Sequence, residues 1–176
     1  MDFFEAVARR YSHKGAFSPE AVPVEVLEKI AQAGLAAATG MNIQCVRLVI
    51  LPANEDVKRL SEAAKHKNFD TAPAAIAVLT DGSMQGTKFN FEVEDYSAAT
   101  QAMLLAATAL GYSALWLDSP FFDRDSQMTA LKALKAPAGY KLQVVIPVGK
   151  PAGEAVRRPK MPFSERVSYR VFGGSK

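Results

Sequence analysis

The periodic segments of this chain are punctuated by single glycines and prolines, with no repeat, low-complexity tract or linker between them, which predicts that its 176 residues form one domain. Phe3, Phe4, Val7, Ala8 and Tyr11 recur at helical intervals, so residues 2–11 read as an amphipathic helix whose end carries Arg9 and Arg10, as the helix dipole favours. Pro23 opens a second helix with Val26, Leu27, Ile30, Ala31 and Gly34 on one face, running into the small-residue stretch 34–40. Residues 47–51 (RLVIL) read as a buried strand stopped by Pro52, 55–65 as a helix and 74–80 (AAIAVLT) as a strand. A long helix over 95–110 carries so many alanines that it must pack closely, and Gly111 stops it. Then come a strand at 112–117, a helix at 126–134 near the acceptor caps Asp123 and Asp125, and a strand in which Leu142, Val144, Ile146 and Val148 alternate.

Val167, Tyr169 and Val171 alternate once more, beyond an arm (150–163) punctuated by prolines. The arm has too few apolar residues to pack on itself, so it is expected to run over another surface, such as that of a second subunit. Alternating helices and strands point, taken alone, to a doubly wound parallel sheet.

Composition narrows the class. A chain with 49% hydrophobic and 22% charged residues can bury a core, and no apolar run approaches the roughly 20 residues of a membrane span. The amino-terminal MDFFEAVARRYSHK has no continuous apolar stretch, which argues against a signal peptide and for a cytoplasmic protein without a membrane partner. One cysteine, Cys45, and two histidines, His13 and His66, leave neither an intramolecular disulfide nor a zinc cage in prospect. A Cys45–His66 nucleophile has nothing in the sequence to bring it together, and a lone cysteine in apolar context reads as core.

The charge is uneven. Residues 150–176 hold seven lysines and arginines against two glutamates, while the rest of the chain holds 14 against 16, so a cationic tail follows a slightly acidic body. That tail has only Phe163, Tyr169 and Phe172 as aromatics, which weighs against a nucleic-acid partner. No dinucleotide glycine fingerprint, phosphate-binding P-loop, zinc-protease motif or nucleophile elbow is present.

Three separated segments carry the remaining chemistry. Arg10, Tyr11, Ser12, His13 and Lys14 bring cations and a hydroxyl to a helix end, suited to a phosphate or a polar ring edge. Residues 38–44 (ATGMNIQ) offer two side-chain amides and a hydroxyl where a flat ligand can lie close to backbone, although an ordinary helix-to-strand turn reads as well from them. Arg157, Arg158 and Lys160 project from a proline-fixed course, which by itself is also how a solvated basic arm looks.

Together these segments resemble the FMN-dependent nitroreductase family, as a compact member, over nearly the whole length. R-x-S-x-K at Arg10, Ser12 and Lys14 and N-x-Q at Asn42 and Gln44 are similar to its two flavin motifs. Asp70-Thr71-Ala72-Pro73 before a strand, A-L-G closing the long helix, and V-I-P-V-G-K-P followed by R-P-K-M-P complete the likeness.

The resemblance implies an α+β fold with a central, mostly antiparallel sheet flanked by helices. It implies an interleaved homodimer whose carboxy-terminal arm is exchanged onto the partner, and FMN as cofactor. By the same resemblance Arg10, Arg158 and Lys160 hold the phosphate with Ser12 nearby, and Lys14 meets the pyrimidine edge of the ring as the residue of electrostatic, catalytic role. Tyr11 and Ala38 belong to the same motifs, and Thr39 and Asn42 come from the other subunit. Leu117, Asp118 and Ser119, after Trp116, cover one flavin face and give a backbone N–H to N5. Which residue of 65–68, if any, contacts the flavin is left open.

The chain departs from the family's usual pattern at Ala38-Thr39 (Pro-Ser), Cys45-Val46 (Pro-Trp) and Ser119 (Gly). Between Thr80 and Asp95 it lacks the inserted helices that roof many relatives' sites. Phe89 and Phe91, in that stretch, are expected to pack against the core, with stacking on an aromatic substrate as the alternative. The implied activity passes electrons from NADH or NADPH through FMN to a small oxidised acceptor such as a nitroaromatic or quinone; a non-catalytic flavin carrier or sensor is the alternative.

Overall fold

In the computed structural model, which describes residues 1–84 and 86–176, four strands form one sheet in the order β1-β2-β4-β3. They are β1 (Val46–Leu51), β2 (Ala74–Thr80), β3 (Ser113–Ala114) and β4 (Lys141–Gly149), and every neighbouring pair is antiparallel. The helices are α1 (Phe3–Arg9), α2 (Val24–Leu35), α3 (Asn54–Lys58), α4 (Ser61–Ala64), α5 (Asn68–Thr71), α6 (Glu92–Ala109) and α7 (Arg124–Ala133). The parallel sheet suggested by helix-strand alternation is therefore wrong and the α+β expectation holds. Connections as long as these return a strand in either direction, so periodicity does not encode strand polarity.

Both faces of β2 are buried, and its alternation sorts the core. Ala74, Ile76 and Val78 join Val144, Ile146 and Val148 of β4 beneath α2 and α6. Ala75, Ala77 and Leu79 face the other layer, with Val57, Leu60, Ala63, Phe69 and Ala130 from α3, α4, α5 and α7. Leu142 belongs to that second layer, not to the first as its alternation with Val144 suggests. Val78 pairs with Val144 but Leu79 pairs with Leu142, so Gln143 is an extra residue whose bulge turns Leu142 to the other face.

Other differences have local causes. The helix expected at 55–65 is two short pieces with a third beyond; Lys65, at φ 46°, ends the second, and each piece turns Val57, Leu60, Ala63 or Phe69 onto the sheet. The strand expected at 112–117 pairs only at Ser113, Ala114 and again at Leu117, opposite Val145. In that register the residue opposite Leu115 is Pro147, which has no N–H to give. The long helix begins three residues earlier than expected, where Asn90 Oδ1 accepts the Glu92 N–H, and ends at Gly111 in the left-handed region, φ 81°. Asp123 caps α7 by accepting the Ser126 N–H, whereas Asp125 lies inside the helix.

Val167, Tyr169 and Val171 form no strand and are exposed. Within one chain the segment joins no sheet: it turns on itself through Gly174 N–H to Val171 O, and the outer edge of β1 is left without a partner strand among the described residues.

Candidate functional site

The amino-terminal motif is an extended segment that leaves α1 at Arg10, the residue after its last turn. Period-two alternation then separates Arg10, Ser12 and Lys14 from Tyr11 and His13. The second set anchors the segment: the Tyr11 hydroxyl lies 2.9 Å from Ser113 Oγ, and buried His13 bonds Ala16 O through Nε2 at 2.9 Å and meets the Phe17 ring edge-on. Ser12 bridges to Ala114, so the motif is joined to the short strand β3.

The arm brings its cations to the same place. Arg10, Tyr11, Ser12, Lys14, Arg157, Arg158 and Lys160 line one cavity of about 700 Å³, shared with Glu154 as its one acidic wall residue. Arg157 lies over the Tyr11 ring, 5.5 Å from its centroid, in cation–π geometry. Side chains almost 150 residues apart thus face one space, and none of these five cations makes an ion pair among the described residues.

Of residues 65–68, Asn68 has the most distinctive surroundings. It is fully buried, its Nδ2 donates to Gly15 O at 2.9 Å beside Lys14, and its Oδ1 has no partner. Buried acceptors without a donor are rare. Its neighbour His66 is held below the ordinary imidazole value by burial, reinforced by the positive charges of Lys67 and Lys14. No motif announces this group, because it reaches Lys14 only through the turn between α4 and α5.

The second predicted cluster lies outside that cavity. Ala38 and Asn42 are exposed, and the Thr39 hydroxyl is buried without a partner. Gly40 N–H donates to Asp95 Oδ1 at 2.7 Å, and a Cβ at Gly40 would collide with the Phe91 ring. Cys45 is buried with Sγ 3.6 Å from Asp95 Oδ2; burial first, and then Asp95, push its thiol up to about 11. That is the opposite of an activated nucleophile, and the Cys45–His66 pair is not formed. Phe91 packs on the core, while Phe89 stacks parallel to it, 6.2 Å away, with half its surface exposed.

The third segment is also apart. Leu117 is buried and its N–H donates to Val145 O. Asp118 accepts the Trp116 indole N–H at 2.9 Å and the Ser119 N–H at 2.6 Å. With Leu117 and Ser119 engaged, the Asp118 amide is the remaining candidate donor of the three expected residues. One chain therefore unites Arg10, Tyr11, Ser12, Lys14, Arg158 and Lys160, and does not bring Ala38, Thr39, Asn42, Leu117, Asp118 and Ser119 to that cavity.

No helix among the described residues is long and apolar enough to cross a membrane. The sequence profile of the Nitroreductase family matches residues 7–83 and 60–150. A protein of Archaeoglobus fulgidus, provisionally named an NADH dehydrogenase/NAD(P)H nitroreductase, is 31% identical over 140 residues, 78% of this chain and 79% of its own length. The crystal structure of a provisionally named nitroreductase from Desulfovibrio desulfuricans, in complex with FMN, superposes with a TM-score of 0.76 at 28% identity, covering 93% of this chain and 98% of that one. An FMN-dependent nitroreductase of Clostridium difficile has the same fold, with a TM-score of 0.82 at 21% identity over 96% of this chain and 99% of its own. With a profile match across most of its length, the chain belongs to the nitroreductase family.

Proposed function

We propose that the protein is an FMN-dependent oxidoreductase that takes electrons from NADH or NADPH and passes them to a small oxidised acceptor such as a nitroaromatic or a quinone. The observation that carries this reading is the convergence of Arg10, Arg158 and Lys160 with Ser12 and Lys14 on one cavity. The residues fit the cofactor: cations without an ion-pair partner among the described residues suit a phosphate dianion, and Asn68, whose Nδ2 holds Gly15 O next to the wall residue Lys14 and whose Oδ1 is orphaned, suits a ring edge that carries an N–H.

Bound there, FMN would supply a ring that accepts and returns hydride, the part of the chemistry that side chains lack. Arg10, Arg158 and Lys160 would hold the phosphate. Lys14 and Asn68 would fix the pyrimidine edge, Lys14 adding a positive charge where reduction places a negative one. The Asp118 amide, with its own carboxyl group turned to Trp116 and Ser119, would donate toward N5.

The proposed assembly is a homodimer. Phe3, Phe4 and Val7 of α1 and Val93 of α6 are exposed, as is the apolar alternation of the arm, and an exchanged arm would cover such surfaces. Thr39 and Asn42 of one subunit would then complete the site of the other.

Anaerobic stopped-flow spectroscopy tests the function. Rapid bleaching of the flavin absorbance by NADH or NADPH is expected; no bleaching at saturating nicotinamide would leave a flavin-binding carrier. Charge-assisted contacts are worth about 1.5–3 kcal/mol each, so Arg158→Ala should weaken FMN about 10- to 150-fold while riboflavin, lacking the phosphate, is unaffected. Equal losses for both flavins would sink the phosphate assignment.

A further inference from the structure

The loop 39–45 is anchored in the core by Ile43 and Cys45 and has an unusual backbone around them. Met41, Asn42 and Gln44 have φ of 53°, 56° and 56°, a region that residues other than glycine enter only where the surroundings hold them. Met41, Asn42 and Gln44 are exposed while Ile43 and Cys45 pack on the core, so the left-handed residues are not held by burial of their own side chains.

The restraint comes from the amino-terminal end of α6. Asp95 is 2% exposed and turns both carboxyl oxygens to this loop. Oδ1 accepts the Gly40 N–H at 2.7 Å, and Oδ2 faces Cys45 Sγ at 3.6 Å, so a single side chain grips the loop at both ends. Phe91, just ahead of the helix, presses on Gly40 where a Cβ would leave no room. The peptide that Asp95 grips joins Gly40 to Thr39, whose hydroxyl is buried with no partner among the described residues.

We propose that Asp95 is a positioning residue for cofactor binding: by clamping the Thr39–Gly40 peptide it fixes the loop that carries the exposed Asn42 amide toward the flavin bound by a second copy. This rests on the cofactor reading given above. Its distinct claim is that a buried carboxyl group which touches no flavin sets flavin affinity through the loop it holds.

Flavin fluorescence titration of apo-protein, for the wild type, Asp95→Ala and Asp95→Asn, tests it. Asp95→Ala should lose about tenfold or more in FMN affinity, the scale of one charge-assisted hydrogen bond. Asp95→Asn keeps an oxygen for Gly40 and should stay within about threefold of the wild type. Riboflavin should lose as much as FMN in Asp95→Ala, since a loop on which a flat ligand lies meets the ring that both flavins share, in contrast to Arg158→Ala.

Wild-type affinity in Asp95→Ala, or equal loss in Asp95→Asn and Asp95→Ala, overturns the proposal. Should Asp95→Ala not fold, hydrogen exchange of the Gly40 amide in the wild type decides it. Protection in the apo-protein that deepens with FMN supports the clamp, and exchange at the unprotected rate, or protection that FMN leaves unchanged, overturns it. A wild-type protein that binds no FMN fails the cofactor reading itself, before any variant is made.

Discussion

Strand β4 and the segment 167–171 carry the same sequence pattern and meet opposite fates. Val144, Ile146 and Val148 lie in the middle of the sheet with no exposed surface, whereas Val167, Tyr169 and Val171 are 39%, 39% and 71% exposed. Alternation specifies which side chains share a face; it does not supply the neighbour whose backbone groups complete the ladder. Strand β4 finds β2 on one side and β3 on the other, and the tail finds neither within its own chain. An apolar face without a partner, on a segment that also delivers the cations of the cavity, is the property that ties assembly to cofactor binding in the proposed function.

Truncation after Pro151 should break that contrast most severely. Removing Arg157, Arg158 and Lys160 together with the apolar tail should yield a monomer without bound flavin, measured by light scattering and the visible spectrum. A truncated chain that remains dimeric and yellow would show that the arm wraps nothing.

Single truncations sharpen the same contrast. Ile146→Ala should cost about 2–5 kcal/mol in denaturant unfolding, because the site cannot collapse between two layers. Val171→Ala should cost about 1.5 kcal/mol, read as weaker dimerisation, if a second subunit covers it. A change below about 0.5 kcal/mol, ordinary for a solvated position, would return the tail to solvent.

The smallest effect concerns pH. His66 in the folded chain lies below its unfolded value, so the unfolded state takes up a proton first as pH falls through the ordinary imidazole range. Stability should therefore be lost on acidification from about 7 toward the lower folded value, and His66→Gln should remove that part of the slope. An unchanged slope in thermal melts would show that burial and the charges of Lys67 and Lys14 do not act on it as described.

How far the sequence reached depends on the range of the interaction concerned. Residues whose roles come from spacing along one segment were legible: Arg10, Ser12 and Lys14 alternate on an extended run, and Asp123 caps the helix that follows it. Asn68 was not, because what singles it out is a bond to Gly15, 53 positions away, and an oxygen left without a partner. Asp95 was visible only as the start of a helix. Its grip on Gly40 and Cys45 exists once α6 is laid beside the loop.

By itself the sequence marked out the core elements α2, β1, β2, α6, α7 and β4 and most of their buried faces, since helical and strand periodicities are properties of local geometry, and the R-x-S-x-K and N-x-Q spacings pointed to the family; it did not determine the fate of 167–171 or the face of Leu142. Tertiary structure alone decided strand direction and the bulge at Gln143 that sends Leu142 to the second layer. It also decided the interruption opposite Pro147 and the meeting of Arg10 with Arg158. Each of these depends on which distant backbone or side chain completes a hydrogen bond or neutralises a charge, and a local pattern contains no record of its partner.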